Sequence, residues 1–274
     1  MPHNRQKKIA VINDFCGFGR FSLVASLPII SAKKIQCCPL PTSIFSNHTG
    51  FDSFFYTDYT ENMTAYINEW EKLNLSFEGI LTGFLGSVGQ IEIVKDFLKK
   101  FKGENTITVV DPVMGDNGKL YPTYSMELAD SMGDLLPFAD ILTPNLTEAC
   151  ILTGSDYKEN ITEEELNRIC EKLSQMGPHT IVISGIQRGD DLENFIYQKG
   201  KEPISVLEHK VGICRSGTGD VFSSLIAANA VNGKDIFSSV KEAASFIAKA
   251  LKRTTELEIP KTDGLCFEEF LGEL

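Results

Sequence analysis

The chain has 274 residues, the size of one large α/β domain or two small domains. With 42% hydrophobic and 23% charged residues its composition is that of a globular protein, which excludes a disordered or fibrous chain. The net charge of −11 argues against binding to nucleic acid or to an anionic membrane, because both require a basic surface. A small anionic ligand is not excluded, since it needs only a local cradle of N–H groups.

The seven cysteines include no C-x-x-C pair, which argues against a zinc site and against a redox pair. We expect mostly buried thiols in a reducing cytoplasm. No apolar run approaches the roughly 18 residues of a membrane span, and Ile9–Ile12 is too short for the core of a signal peptide. The sequence therefore predicts one cytoplasmic domain over residues 1–274, with no membrane and no nucleic acid as partner.

Short apolar runs alternate with longer amphipathic segments along the chain. The runs predict strands at 8–13, 35–40, 79–82, 106–111, 140–143, 180–184, 194–198 and 204–208. Helices are predicted near 20–32, 61–74, 88–102, 124–135, 145–153, 163–176, 219–231 and 236–253. This alternation predicts an α/β fold with a doubly wound, mostly parallel central sheet and helices on both faces. The last two strands, with Gly200 between them, predict an antiparallel hairpin.

In such sheets ligands bind beyond the carboxyl ends of the strands. The first strand leads into Gly17 and Gly19, a near miss of the dinucleotide fingerprint, because Ser22 stands at the third glycine position. The second strand ends without a carboxylate to hold a ribose, which argues against a nicotinamide oxidoreductase. No phosphate-binding G-x-x-x-x-G-K-[ST] loop is present either.

The fourth predicted strand ends at Asp111, and Asp116 follows within the next turn. Carboxylate oxygens are suitable ligands for Mg²⁺, directly or through water. For Asp116 a simple turn with Asn117 and Gly118 is an equally good explanation. For Asp111, at the end of a buried strand, a functional role is favoured.

After the fifth strand, Asn145 and Glu148 have the spacing of a capping box, which is an adequate structural explanation. The same geometry turns Glu148 towards Asp111. Carboxylates that meet there would be costly unless a cation neutralised them. Both carboxylates, with Asp116, are therefore candidate Mg²⁺ ligands.

The strongest local signal is Gly217-Thr218-Gly219-Asp220, which opens a helix. Its N–H groups and the helix dipole would form an anion hole. Asp220 could accept a proton from a substrate hydroxyl while the hole holds a transferring phosphoryl group. The alternative is a first-turn acid that only stabilises the helix.

These segments together resemble the ribokinase superfamily, and most closely its vitamin B6 branch, the pyridoxal kinases. The resemblance extends over nearly the whole chain in family order. It is carried by Phe45–Gly50 (FSNHTG), Leu81–Ser87 (LTGFLGS), Asp111–Asp116 (DPVMGD), Thr143–Glu148 (TPNLTE) and Gly217–Asp220 (GTGD). FSNHTG is specific to the B6 branch, whereas GTGD occurs throughout the superfamily. The resemblance implies a ribokinase-like kinase that uses ATP and Mg²⁺ to phosphorylate the 5′-hydroxymethyl group of a B6 vitamer.

The resemblance also implies roles for individual residues. Asp220 would be the catalytic base, and Gly217, Thr218 and Gly219 the anion hole. The pyridine ring would contact Asn47, His48, Thr49 and Phe84. The nucleotide would lie near Asp111, Asn145, Glu148, Ser184 and Val211, with Mg²⁺ held by Asp111, Asp116 and Glu148. A homodimer and a monovalent cation, K⁺ or Na⁺, near the anion hole are implied as well.

One position departs from the B6 branch. Asp14 stands where many pyridoxal kinases have a serine that touches the pyridine ring, and an acid there is similar to the hydroxymethylpyrimidine kinases. A hydroxymethylpyrimidine kinase is therefore an alternative, and a B6-vitamer-binding protein without turnover is a second one. Arg215 could contact phosphate or be a solvated loop residue.

Overall fold

Helices and strands alternate along residues 3–213 and 215–274, the parts of the chain that the computed structural model describes. The strands are β1 (Lys8–Phe18), β2 (Gln36–Asn47), β3 (Tyr56–Asp58), β4 (Gly79–Thr82), β5 (Ile107–Val110), β6 (Gly115–Asp116), β7 (Lys119–Leu120), β8 (Ile141–Leu142), β9 (Thr180–Arg188), β10 (Asp191–Gln198) and β11 (Ile204–His209). The α-helices are α1 (Ser22–Ala32), α2 (Thr60–Lys72), α3 (Val88–Phe101), α4 (Met126–Met132), α5 (Leu146–Thr153), α6 (Glu163–Gln175), α7 (Thr218–Val231) and α8 (Ile236–Glu256).

A single large sheet has the strand order β11-β10-β9-β8-β5-β4-β1-β2-β3. Its central strands, from β9 to β2, are parallel, whereas β10, β11 and β3 join the edges antiparallel. The predicted hairpin over the last two strands is confirmed. The chain passes from β1 to β2 on one side and then returns to β4 on the other, so the strand order reverses between β1 and β4. Ligands bind at such a switch point in open α/β sheets.

Helices cover both faces of the sheet, which confirms the predicted fold class. Helices α2 to α6 pack on one face, in a core that includes Met63, Phe97 and Leu166. Helices α1, α7 and α8 pack on the other face around Ile29 and Leu225. Among the described helices, none combines the length and the apolar character needed to cross a membrane.

Strands β1 and β2 are longer than the sequence predicted. Their pairing continues to Phe18 and Asn47, with an irregularity between Asn13 and Phe15 at Asp14. Gly17 therefore lies inside β1, whereas Gly19, with φ +103°, lies in the turn that leads to α1. Helix α1 begins only at Ser22.

The length of β2 was missed because Pro39 and Pro41 usually interrupt strands. Both prolines pair with β1 on one side. On the other side β3 pairs only with residues Ser43, Ile44 and Phe45, so both prolines lie where β2 is an edge strand. There the missing N–H breaks no ladder hydrogen bond.

Two predicted elements are shorter than expected. Strand β8 has only two residues, and α4 ends at Met132, where the 3-10 helix Gly133–Phe138 takes over. Pro137 has no N–H for an α-helical bond, which is consistent with this ending. The β6–β7 ribbon and β3 were not predicted, because two- and three-residue strands carry no periodic signal.

The thiols agree with the expectation from the sequence. Within the described ranges the cysteines are free, and all are buried except the half-buried Cys37. Cys214 lies outside the described residues.

Candidate active site

Side chains at or just beyond the ends of neighbouring parallel strands meet at the carboxyl edge of the sheet, and most of them are polar. They are Asn13 and Asp14 of β1, Phe84 after β4, Asp111 after β5, and Asn145 and Glu148 after β8. Asp220, in the first turn of α7, joins them, because its Oδ1 accepts a hydrogen bond from Asn13 Nδ2 at 3.0 Å. The structure thus brings the predicted base to the predicted strand-end groups.

Asn13 connects this base to the switch point between β1 and β4. Its side chain is 4% exposed, and its Oδ1 accepts from the backbone N–H groups of Asp14 (3.0 Å) and Phe84 (2.8 Å). Because two N–H donors fix the oxygen, the amide NH₂ must face Asp220. Gly83 permits this arrangement, since a Cβ there would lie 2.5 Å from the Asn13 side chain.

The glycine loop (Arg215–Gly219) leads into α7, and Gly217, directly before the helix, has a left-handed backbone conformation. Gly217 has φ +87°, and a Cβ there would lie 2.1 Å from the carbonyl oxygen of Arg20. Thr218 Oγ1 donates to Arg215 O at 3.1 Å. The exposed Gly219 has no atom within 4 Å of a Cβ position, so packing does not require glycine there. The first N–H groups of an α-helix have no partner within the helix. Because the space beside Gly219 is open, an anion could approach these N–H groups of α7.

Asp111 and Glu148 are buried carboxyl groups, 7% and 4% exposed. Burial raises both pKa values, that of Glu148 to about 8, and the charges of Glu148 and Asp220 raise the pKa of Asp111 further. Glu148 Oε1 accepts from Met114 N (3.1 Å) and Oε2 from Asn145 N (2.8 Å), which partly offsets its burial. Neighbouring carboxyl groups of this kind either hold protons or require a cation.

Asp14 lies near Asp220 and is 8% exposed. Burial raises the pKa of Asp14 to about 7; a hydrogen bond from the Ser22 side chain lowers it, and the charge of Asp220 raises it. Burial also raises the pKa of Asp220, whereas hydrogen bonds from the Ser22 backbone and from Asn13 lower it. These two donors stabilise the charged form of Asp220, the form that a base requires.

Asp116 lies at the tip of the β6–β7 ribbon and is exposed. Its carboxylate accepts hydrogen bonds from the backbone and side chain of Asn117 at 2.8 and 2.9 Å. Residues 3–213 and 215–274 contain no group of three or more His, Cys, Asp or Glu that could hold a metal ion alone. A Mg²⁺ ion that enters with a nucleotide needs only one or two carboxylates, with phosphate and water completing its shell. The buried, mutually repelling Asp111 and Glu148 fit that requirement.

Phe84 offers an aromatic ring beside Asn13. The ring is half-buried and meets Phe45 and Tyr124 edge-on, with centroids 6.3 and 5.8 Å away. Thr42 Oγ1 donates to the carbonyl of Phe84 at 2.9 Å. The ring is therefore held at the end of β4, at the switch point.

Both ring nitrogens of His48 form hydrogen bonds with backbone groups of the chain. Its Nε2 donates to Thr262 O at 2.9 Å, and its Nδ1 accepts from Gly50 N at 3.0 Å. The ring also packs against Phe21, with centroids 4.5 Å apart. The ring meets Phe51 edge-on as well, with centroids 5.0 Å apart, and the side chain thus joins the segment after β2 to the C-terminal segment.

Asn47 and Thr49 flank His48. The Asn47 amide donates to Ser53 O and accepts from Ser46 Oγ, both at 2.7 Å, and Thr49 is exposed in the turn. The amide of Asn47 thus stabilises its own loop.

Ser184 and Val211 were expected beside a nucleotide. Ser184 N donates to Pro144 O at 3.0 Å, so Ser184 lies next to Asn145. Asn145 in turn donates from Nδ2 to Gly115 O at 2.8 Å. Val211 is half-buried in the segment that joins β11 to the glycine loop.

Arg215 connects the glycine loop to the C-terminal segment. Its guanidinium Nη1 donates to Ile259 O at 2.7 Å and Pro260 O at 2.8 Å. The side chain thus anchors the loop instead of standing free in solvent, and its contact with phosphate stays a prediction.

Sequence reasoning missed Asn13 and Ser22, which both contact the carboxyl groups. A weak signal existed for Asn13, because it is a polar residue at the end of an apolar strand and directly precedes Asp14. No signal existed for Ser22, since its contact with Asp220 requires α1 and α7 to pack side by side.

Comparisons with known proteins agree with the fold and with the family that the sequence resembles. The model of the phosphomethylpyrimidine kinase family matches residues 30–264. A pyridoxal kinase from Arabidopsis thaliana is 32% identical over 227 residues, which are 79% of this chain and 72% of the relative.

Two solved proteins are structurally similar. A Bacteroides thetaiotaomicron protein described as a phosphomethylpyrimidine kinase is 37% identical; one crystal form (TM-score 0.96) covers 100% of this chain and 95% of that one. Its second form, with pyridoxal, has a TM-score of 0.94 and covers 98% and 96%. A Leishmania donovani pyridoxal kinase with ADP and pyridoxamine, at 21% identity and TM-score 0.87, covers 97% and 94% and shares the fold.

The fold is ribokinase-like, as the resemblance implied. The chain belongs to the phosphomethylpyrimidine kinase family, and its curated relatives include pyridoxal kinases.

Proposed function

We propose that this chain transfers the γ-phosphoryl group of ATP to the 5′-hydroxymethyl group of pyridoxal or a related B6 vitamer. The observation that carries the proposal is the position of Asp220. Its carboxylate stands in the first turn of α7, beside the glycine loop, and is hydrogen-bonded to Asn13 at the switch point. One residue therefore faces both an anion-binding helix start and the place where a small acceptor would bind.

The chemistry is a direct in-line transfer without a covalent enzyme intermediate. Asp220 accepts the proton of the acceptor hydroxyl as its oxygen bonds to the γ-phosphorus. The bond between the γ-phosphorus and the bridging oxygen breaks, and ADP leaves with that electron pair. The N–H groups of Gly217, Thr218 and Gly219 stabilise the charge on the transferring group.

The nucleotide end of the site would lie over the second pair of carboxyl groups. Mg²⁺, when bound, neutralises phosphate charge and links the nucleotide to the protein. Asp111 and Glu148 would hold it, with Asp116 acting through water. Asn145 and Ser184 would lie beside the phosphates, and Val211 near the adenine.

The acceptor ring would lie at the switch point. Phe84 supplies a ring face there, and Asp14 a titratable carboxyl group with a pKa of about 7. We place Asn47, His48 and Thr49 at the outer rim, where His48 would contact the ring by its face or edge. The 37% identical Bacteroides thetaiotaomicron protein, whose crystal form contains pyridoxal, supports this choice of acceptor.

A coupled assay of ADP release tests the proposal. Pyridoxal, pyridoxine, pyridoxamine and hydroxymethylpyrimidine are each offered with ATP and Mg²⁺, and mass spectrometry identifies the product. We expect turnover with the B6 vitamers and a product 80 Da heavier, the mass of HPO₃. No acceptor-dependent ADP release would contradict the proposal and favour a vitamer-binding protein.

A second candidate is a hydroxymethylpyrimidine kinase. Asp14 favours it, because a carboxyl group can pair with an aminopyrimidine, and so does the name of the matching family. Competition between pyridoxal and hydroxymethylpyrimidine separates the two. If Asp14 selects the acceptor, Asp14→Ser shifts kcat/KM towards pyridoxal; unchanged selectivity would remove Asp14 from the account.

We further propose that the chain forms a homodimer through an aromatic edge, which comprises Phe15, Phe18, Phe54, Phe55 and Tyr56. All five side chains are more than one-third exposed, and Phe55 reaches 64%. Exposed apolar clusters of this kind mark interfaces, and here they surround the edge strand β3. A second copy of the chain is the occupant that the resemblance implies.

Light scattering tests the dimer. Phe55→Ser should lower the molecular mass towards that of one chain. Leu207→Ser, which removes an equally exposed side chain (59%) on the opposite sheet edge, should leave the mass unchanged. A monomeric wild-type protein would contradict the proposal.

We also propose that the protein works in the cytoplasm. Its free, mostly buried thiols are consistent with a reducing compartment.

A monovalent cation, K⁺ or Na⁺, is proposed to bind near the glycine loop, as the resemblance implies. Replacing K⁺ and Na⁺ by choline should reduce turnover; equal rates in all three salts would exclude the monovalent cation.

A further inference from the structure

Asn13 makes three hydrogen bonds that meet at the centre of the site. Its Nδ2 donates to Asp220 Oδ1 at 3.0 Å, across 207 positions of the chain. Its Oδ1 accepts from Asp14 N at 3.0 Å and Phe84 N at 2.8 Å. We infer that Asn13 is a positioning residue that fixes the Asp220 carboxylate relative to the Phe84 end of the acceptor site. This inference rests on the proposed function.

The amide satisfies the geometric requirements of that role. Both of its polar atoms are engaged within the chain, and its side chain is 4% exposed, so its own orientation is fixed. A carboxylate has about four acceptor positions. The donors from Asn13, from the backbone of Ser22 and from the backbone N–H of Asp220 itself occupy three of them, and leave one position for the hydroxyl of an acceptor.

The same amide links the two halves of the reaction geometry. Asp220 belongs to α7, whereas Phe84 follows β4, and these elements come from distant parts of the chain. The rigid side chain of Asn13 is hydrogen-bonded to the Asp220 carboxylate and to the backbone N–H of Phe84. It therefore sets the distance between the base and the ring face. Misplacement of a reacting group by about 1 Å can cost on the order of 10²-fold in rate, so this distance matters for turnover.

Loss of the amide can be tested with two substitutions. Asn13→Ala removes all three bonds, and Asn13→Leu does so while keeping the side-chain volume. In both we expect kcat with pyridoxal to fall about 10- to 100-fold, whereas KM for ATP stays within about twofold. The split arises because the three hydrogen bonds of Asn13 go to Asp220, Asp14 and Phe84, none of which we place at the nucleotide.

Asn229→Ala is the matched control. Asn229 lies on the same helix as Asp220, is 1% exposed, and donates from its amide to the carboxylate of Glu242 at 2.5 Å. Its loss should lower the unfolding temperature much as Asn13→Ala does, but leave kcat within about twofold of wild type. A decrease in stability alone would affect both variants alike.

A double-mutant cycle with Asp220→Asn gives the deciding readout. If Asn13 acts through Asp220, Asn13→Leu lowers the residual rate of the Asp220→Asn protein less than about threefold. The same 10- to 100-fold loss in both backgrounds would overturn the inference, as would Asn13 variants with wild-type kcat. Wild-type protein without turnover on any acceptor would instead contradict the proposed function, and the inference with it.

Discussion

Gly217 and Gly219 stand two positions apart in the same loop, and the structure gives each a different reason to be glycine. A Cβ at Gly217 would lie 2.1 Å from Arg20 O, and φ there is +87°, so the fold requires glycine. At Gly219, in the first turn of α7, no atom lies within 4 Å of the Cβ position. Packing therefore does not explain Gly219, whereas the proposed close approach of a phosphoryl group would.

Replacing Gly217 and Gly219 in turn by alanine distinguishes a requirement of the fold from a requirement of phosphate binding. Gly217→Ala should destabilise the protein by about 1–3 kcal/mol or prevent folding, because of backbone strain and the clash. Gly219→Ala should be neutral or stabilising by up to about 1 kcal/mol, as for glycine in a helix, yet lower kcat/KM for ATP at least tenfold. Thermal unfolding and steady-state kinetics measure both effects. A Gly219→Ala enzyme with wild-type kinetics would exclude close approach of the phosphate there.

The sequence predicts some of these residues better than others, for a physical reason. Asp111 and Asp220 were identified because each stands at an end of its own strand or helix, a position that local pattern reveals. Asn13 was missed because its role depends on a contact with Asp220, 207 positions away. For His48, local sequence could not show that both ring nitrogens bond within the chain.

Helices α5 and α6 begin with the same capping box in two environments. In α6, Thr162 and Glu165 form an exposed box, with bonds of 3.2 and 2.9 Å. In α5, Asn145 and Glu148 form a buried box, with bonds of 3.0 and 2.8 Å, beside Asp111. The burial of Glu148 exceeds what capping requires, and it indicates a second role at the sheet edge.

Replacing the glutamate of each capping box by glutamine distinguishes helix capping from a role in cation binding. Glu165→Gln should lower the unfolding temperature only slightly and leave activity unchanged. Glu148→Gln keeps the shape of the cap but removes the charge, so we expect the Mg²⁺ concentration for half-maximal activity to rise about 10- to 100-fold. Titration of activity with Mg²⁺ measures the effect. Identical Mg²⁺ curves for the two variants would restrict Glu148 to capping.

Element boundaries show where pattern reasoning fails. The amphipathic α3 and α6 were predicted within one or two residues, because their apolar faces repeat with helical period. Strand β2 was underestimated, because Pro39 and Pro41 indicate a break unless the neighbouring strand is known. Only the sheet order reveals that both prolines lie on an edge.

Over the whole molecule the formal net charge is −11. Part of the acidic charge lies at the carboxyl ends of the strands. Asp14, Asp111, Glu148 and Asp220 gather there, and burial raises the pKa of each. An acidic edge binds a phosphorylated ligand only when cations accompany it. The charge that argues against nucleic acid thus fits a nucleotide that enters with Mg²⁺.

These raised pKa values predict how the stability of the ligand-free protein depends on pH. Asp14 titrates near pH 7 when folded and near 3.8 when unfolded, so between these values the folded state holds the additional proton. Stability therefore decreases as pH rises through this window, by up to about 1.4 kcal/mol per pH unit for this group. Urea unfolding from pH 4.5 to 7.5 should show a shallower decrease for Asp14→Asn. Parallel curves for wild type and variant would contradict the raised pKa.

Asp220 as the base is central to the proposed reaction, and its most direct test is kcat of Asp220→Asn with pyridoxal. Asp235→Asn is the control, because Asp235 is also an acid at a helix start, where it caps α8 by accepting from Ser238 N at 2.9 Å. We predict a 10²- to 10⁴-fold loss of kcat for Asp220→Asn with ATP binding retained, and unchanged kcat for Asp235→Asn. Near-normal turnover of Asp220→Asn would contradict the account and reduce Asp220 to a residue that stabilises its helix.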